Sequence, residues 1–215
     1  MKSSAICRNW LKSLPPAEGN LEKEQVFGRE RLLEKGIPSP NDEAWRLSSL
    51  NRLNELFSLP LTIKKNTSSR FPDEAEKVTR LILSTNNNLI ENINLPEGIS
   101  HLNNREIDKN LGNIIKNCTM KNDLTVSLNQ AASSDLLALR VNHNVIQNLE
   151  IIIPSVKEQM MSTRVIILLE KGAKLNLLEV ILGDNQSAQN HLIEIKLEAN
   201  AELNHELISL GQESQ

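Results

Sequence analysis

The stretch that decides the fold is RVIILLEKGAKLNLLEVIL, Arg164 to Leu182. It is almost wholly aliphatic, yet Glu170, Lys171 and Gly172 interrupt it in the middle. Spanning a bilayer takes an unbroken apolar run of roughly 18 residues, and the apolar runs here are far shorter, so this is not a membrane helix. Slid along the chain, the stretch finds a copy of itself. VIILLEKGAKLN from Val165 aligns with IEIKLEANAELN from Ile193, a shift of 28 residues. Val165 meets Ile193, Ile167 meets Ile195 and Leu169 meets Leu197. After the turn Gly172 meets Asn200, Leu175 meets Leu203 and Asn176 meets Asn204. A fainter copy lies one period earlier, with Leu137, Leu139 and Val141 in the apolar positions and Asn144 in the turn slot.

The apolar residues alternate with period two, so these elements are strands. Gly172, Asn200 and Asn144 share one slot, and glycine and asparagine are the residues that tolerate a left-handed backbone there. Each unit reads as strand, tight bend, strand and longer connection, with strands of about eight residues spanning roughly 26 Å. Fixed-period self-similarity of this kind is the mark of a stacked repeat, in which about three units are needed to bury a shared core. The expected fold is therefore mainly β: a right-handed parallel β-helix, a solenoid of two sheets with 28 residues per coil, preceded by an α-helical N-terminal segment. In the second strand the alternation breaks at Leu177-Leu178, which calls for either a bulge or burial on both faces.

The rest of the chain has a different character. Of 215 residues only 2% are aromatic, and all five (Trp10, Phe27, Trp45, Phe57, Phe71) precede residue 72, so the later part must build its core from aliphatic side chains. Glu22 to Lys35 alternates charged and apolar residues at helical spacing, and Gly36 with Ile37-Pro38 provides a stop. Ser39-Pro40-Asn41-Asp42-Glu43 looks like a fresh helix start whose Trp45, Leu50, Leu53 and Phe57 share a face until Pro60. Thr62 to Asp73 is polar and reads as a loop. Val78 to Ser84 and Ile90 to Leu95 read as strands, and Glu106 to Asn117 as a helix with Ile107, Leu111, Ile114 and Ile115 on its apolar face. Three regions result: a helical region over 1–77, a mixed entry segment over 78–118, and the repeat over 119–215, whose last coil is left open. An open coil exposes unpaired backbone and aliphatic side chains, so the chain is expected to form homo- or hetero-oligomers through that end, or to be truncated.

Composition narrows the function. Apolar residues make up 39% and charged residues 24%, with a net charge of -3, so nothing global attracts nucleic acid or an anionic membrane. The first residues contain no long apolar run, and Cys7 and Cys118 fit no disulfide framework or metal spacing, which points to a cytoplasmic, reducing compartment. No GxxxxGK[ST], GxGxxG, CxxC or HExxH occurs, so the chain itself is not expected to hydrolyse ATP. Glu170 and Glu198 fall one coil apart, about 5 Å, and paired carboxylates can do acid–base work. Lys171 beside them favours a solvated bend. His143, His191 and His205 occupy different slots of the repeat and form no ligand column. Cys118 is expected to be a small buried filler rather than a reactive thiol. Asn129 is expected to cap a segment or to ladder between coils.

Four runs resemble a known family. GIPSPNDEAWRLSSLNRL (Gly36 to Leu53), LPEGI (Leu95 to Ile99), SLNQAASSDLLALRV (Ser127 to Val141) and RVIILLEKGAKLNLLE from Arg164 with its copy at Ile193 are similar, in this order, to the N-terminal half of SufD-like members of the SufB/SufD family of iron–sulfur cluster assembly scaffold proteins. Leu47-Ser48 departs from the family's aromatic and threonine after the Trp-basic pair, and Asn142-His143 stands where the family has proline. The resemblance implies a parallel β-helix core and a non-enzymatic scaffold subunit acting with SufB-like and SufC-like proteins. It also implies that the complex assembles the iron–sulfur cluster and that the SufC-like partner binds ATP. The family's cluster-building residues lie beyond the region of likeness, so no catalytic, cofactor-binding or metal residue is carried over. The other readings open to the sequence are a generic protein-interaction solenoid and a polysaccharide-acting β-helix enzyme using Glu170 and Glu198. The lack of aromatics and of a secretion signal counts against the enzyme. A hexapeptide-repeat acyltransferase is excluded, since 28 is not a multiple of six.

Overall fold

The computed structural model describes residues 5–39, 41–47, 49–61, 78–83, 95–118, 123–184 and 186–211. Helices α1 (Ala5–Ser13), α2 (Glu22–Lys35) and α3 (Leu50–Leu56) come first, and strands β1 (Thr79–Ile82) and β2 (Ile99–His101) follow. Helices α4 (Asn104–Asn110), α5 (Asn113–Lys116) and α6 (Leu124–Ala132) lead into β3 (Asp135–Val141), β4 (Ile146–Ile153), β5 (Met160–Leu169), β6 (Lys174–Leu182), β7 (Ala188–Leu197) and β8 (Glu202–Leu210). From β3 onward the strands alternate between two four-stranded sheets, ordered β1-β4-β6-β8 and β2-β3-β5-β7. The first sheet is parallel throughout, and the second is mixed because β2 runs antiparallel to β3. Leu137 pairs with Val165 and Val165 with Ile193, while Ile146 pairs with Lys174 and Lys174 with Glu202, so the sequence offset is the pairing register of these strands.

The expected mainly β solenoid is corrected by what surrounds these sheets. About 32% of the described residues are helical against 35% in strands, and two discrete sheets carry helices, one sheet being mixed: an α/β architecture rather than a β-helix. The physical reason lies in β5, where nine of ten residues are buried. Its odd-numbered Val165, Ile167 and Leu169 pack between the sheets with Leu149, Ile151 and Leu175. Its even-numbered Ile166, with Leu168 and the β3 residue Ala138, packs beneath Leu102, Ile107 and Leu111 around α4. A parallel strand covered on both faces reads as a nearly continuous apolar run, and helices are what cover it. The alternation in the sequence identified the inner face and left the outer one unread.

The bends are as the shared slot predicts: Asn144, Gly172 and Asn200 have φ of 56°, 72° and 60°. A Cβ on Gly172 would sit 2.2 Å from Asn144 Oδ1, so the middle bend takes glycine for space as well as for backbone sign. The break at Leu177-Leu178 is burial on both faces, since β6 stays in unbroken register with β4 and β8. Leu178 packs on the outside with Ile152, Val180 and Leu182.

Helix boundaries moved where a local cap competed with continuity. α2 has the expected span and closes at Gly36 with φ 69°. The helix expected from Ser39 is instead a 3-10 turn at Glu43–Trp45, and α3 begins at Leu50, where the Ser49 side chain accepts from the Arg52 N–H. The helix expected over 106–117 divides at Gly112, which is left-handed with φ 73°. β2 and α6 were not read as such, so the segment from 119 opens with a helix among its described residues. Of the strand expected at 90–95, Leu95 is not in a strand and 90–94 lie outside the described residues, as does the loop expected over 62–73. Trp10 and Phe57 meet edge to face at 5.3 Å and pack with Leu128 and Met160, joining the first helices to α6 and β5. Among the described residues no helix is long and apolar enough to cross a membrane.

Candidate functional site

Along β6 the inward positions run Leu175, Leu177, Glu179, Ile181, and the third of these is a carboxylate with no solvent exposure. A lone buried charge costs several kcal/mol, so it demands partners. Two are supplied from different directions. His191 on β7 places Nε2 2.7 Å from Glu179 Oε1. His205 on β8 places Nε2 2.7 Å from Oε2. A carboxylate only accepts, so both imidazoles carry their proton on Nε2. His191 Nδ1 lies 2.7 Å from Thr163 Oγ1 on the neighbouring strand β5. The result is a chain from Thr163 through His191 to Glu179, met from the other side by His205.

Burial pushes the Glu179 carboxyl up, but the hydrogen bonds and charges of His191 and then of His205 outweigh it and hold the group below its usual range. The carboxylate is therefore ionised inside an otherwise aliphatic interior. The His191 side chain is 5% exposed and that of His205 31%, so the solvent reaches the cluster only at its β8 end. Thr163 is buried as well. This arrangement can hold and relay a proton, and its partly exposed His205 lines a surface cavity together with Asn176, Leu177, Leu203 and Asn204. Among the described residues no group of three His, Cys, Asp or Glu is placed to hold a metal ion.

A second buried cluster sits on the outer face of the mixed sheet. Arg164 Nη2 contacts Glu24 Oε2 at 3.1 Å and Glu194 Oε1 at 2.6 Å. Gln130 Nε2 donates to Glu24 Oε2 at 2.7 Å, and the Gly112 N–H donates to both Glu194 oxygens at 3.0 Å. One guanidinium thus ties α2, α6 and the α4–α5 junction to β5 and β7. Asn129 adds to this clamp: its Nδ2 donates to the backbone oxygens of Thr163 and Asn190, on β5 and β7.

The residues singled out in the sequence fare differently. Glu170 accepts from the His143 N–H at 3.0 Å and pairs with Arg140 Nε at 3.2 Å. Glu198 is exposed and has no side-chain partner among the described residues, so the two carboxylates share no site. His143 is exposed beside Asn144. His191 and His205 do occupy different slots, yet they converge on Glu179, which sequence reasoning missed. The available signal was a charged residue in an inward slot between Leu177 and Ile181. Cys118 is exposed rather than a buried filler, and its Sγ lies 3.4 Å from the Ile114 carbonyl. Cys7 is the buried thiol, packed among Trp10 and its neighbours. Compared with known proteins, the chain matches no family model, no curated protein and no solved structure.

Proposed function

We propose that this chain is a non-enzymatic scaffold subunit of an iron–sulfur cluster assembly complex, similar to SufD and acting with SufB-like and SufC-like partners. The four sequence runs that resemble the SufB/SufD family support this reading. They fall on the 3-10 turn and α3, on the approach to β2, on α6 with β3, and on β5 with β6. The observation that carries the reading is the pair of edge strands β7 and β8. Leu197, Leu207 and Leu210 are 44%, 56% and 48% exposed there, whereas Leu169 and Leu182 one strand inward are buried. Exposed aliphatic side chains along a strand edge suit the docking of another polypeptide. In this reading the cluster is the cargo of the whole complex, ATP is bound by the SufC-like partner, and no residue of this chain is assigned a catalytic role.

The test is co-purification. An affinity-tagged chain produced together with SufB and SufC should retain both through washing at moderate salt. If neither is retained, the reading fails.

A further inference from the structure

The three stacked strands β4, β6 and β8 carry an asparagine at the same register position: Asn148 pairs with Asn176 and Asn176 with Asn204. Their side chains form a ladder. Asn176 Nδ2 donates to Asn148 Oδ1 at 2.8 Å, and Asn204 Nδ2 donates to Asn176 Oδ1 at 2.7 Å. The ladder has a direction, each rung donating to the one before it. No described group donates to Asn204 Oδ1. Two positions earlier Lys174 reaches Glu202 at 2.8 Å, so a cation meets an anion across β6 and β8.

The backbone of β8 is open on the same side. The Glu202 N–H donates to Ala173 O at 2.9 Å and the Leu210 carbonyl accepts from the Gly183 N–H at 2.7 Å. Even-numbered residues thus direct their polar groups at β6, and those of Leu203, His205, Leu207 and Ser209 face away from the sheet. In the inward column Ile151, Glu179 and Leu207, exposure runs 0%, 0% and 56%. The edge therefore offers backbone groups, an apolar ledge and one directional side-chain acceptor.

We propose that β8 takes up an extended strand of a partner polypeptide, running parallel to it, with an asparagine in register with Asn204 and a basic residue opposite Glu202. The acidic character of β8 selects this occupant over a second copy of the chain. Its outward face carries Glu202 and Glu206, and a two-fold axis through Asn204 would set each glutamate against the other of the partner copy. A strand of the pattern basic, aliphatic, asparagine, aliphatic satisfies every group; Lys174-Leu175-Asn176-Leu177 has that pattern and already fills this role on the other side of β8. Its aliphatic side chains would cover His205 and Leu207. The inference goes beyond the scaffold reading, and holds or fails without reference to iron–sulfur proteins.

The probe is the synthetic peptide Lys-Leu-Asn-Leu-Lys-Leu-Thr with a fluorophore or a nitroxide at its N-terminus, added to the whole chain. Amide exchange should slow at Leu203, His205, Leu207 and Ser209. The nitroxide should broaden resonances near Glu202 rather than near Leu210, as parallel pairing requires. Replacing the peptide's asparagine by alanine should weaken binding by about tenfold, the size of one well-formed hydrogen bond with its desolvation penalty. In an Asn204→Ala protein the two peptides should bind alike, because the cycle then has no coupling left. The proposal is overturned by unchanged exchange at saturating peptide, by broadening at the Leu210 end, or by equal binding of both peptides to the parent chain. It is also overturned if the chain alone forms a dimer that protects the same four amides, since the occupant is then a second copy.

Discussion

Replacing Glu179 by glutamine keeps the shape of the buried cluster and removes its charge. The parent carboxylate accepts one hydrogen bond from each imidazole at 2.7 Å. An amide offers one oxygen and one NH2, so one imidazole N–H must meet a donor. His205 can move aside, because its side chain is 31% exposed. His191 has less freedom, being held at Nδ1 by Thr163. The amide therefore turns its oxygen to His191 and its nitrogen to His205. Hydrogen bonds to a charged group are worth about 1.5–3 kcal/mol and neutral ones about 0.5–1.5. Losing charge assistance at two bonds, less the desolvation that a neutral amide avoids, gives a destabilisation of about 1–3 kcal/mol at neutral pH. The depressed carboxyl fixes the sign, since surroundings that lower an acid's pKa favour its ionised form. Urea unfolding followed by circular dichroism, with both proteins at the same concentration, measures the difference. Its pH dependence is the sharper check. A group whose folded pKa lies below its ordinary value, here 4.5, contributes fully above that value and loses its contribution as pH falls through the lower folded value. The gap between parent and variant should thus be constant on the neutral side and close in acid. A variant as stable as the parent at neutral pH would refute the reasoning, and so would a gap that widens as the pH falls below 4.5.

Further substitutions test the bends and the second buried cluster. Gly172→Ala places a Cβ 2.2 Å from Asn144 Oδ1 at a φ of 72°, and should lower the urea midpoint by an amount equivalent to about 1–3 kcal/mol. Gly19→Ala, with a φ of 63° and nothing within 4 Å, should cost clearly less; equal losses would mean that stacking of the bends is unimportant. Arg164→Met leaves the buried Glu24 and Glu194 without their cation and should cost about 3–5 kcal/mol by the same unfolding assay. Adding Glu194→Gln should restore part of that loss, and strict additivity would show that the ion cluster is not a unit.

How much of this was legible in the sequence depends on which neighbours a residue has. Pairing register was legible because it is a property of the sequence compared with itself: Val165 and Ile193 hold equivalent places in strands built alike, and the same backbone turn recurs at Asn144, Gly172 and Asn200. Architecture was not, because it depends on what covers Ile166 and Leu168. Those side chains read as excess hydrophobicity in an alternating pattern until Ile107 and Leu111 arrive from a helix outside the repeat. The shares of helix and strand then become nearly equal, and a repeat of strands turns out to build the two sheets of an α/β protein.

The cluster was hidden for a related reason. Histidines compared within the repeat fall in unlike slots, and likeness of slot is the wrong criterion when partners come from facing sheets. His191 lies on the mixed sheet and His205 on the parallel one, and they meet only because both point inward at Glu179. A charge in an inward slot is the sequence-level sign that such a meeting must occur, since an ionised carboxylate cannot remain among leucines without donors. What the sequence withholds is the identity of the donors, because the inter-sheet distance and the stagger of the strands decide which side chains reach. The same logic separates the two faces of β8. On its inward face the neighbours of Leu207 within the chain are known and insufficient, with more than half of its surface left exposed. On its outward face the asparagine ladder already states what the next strand must carry.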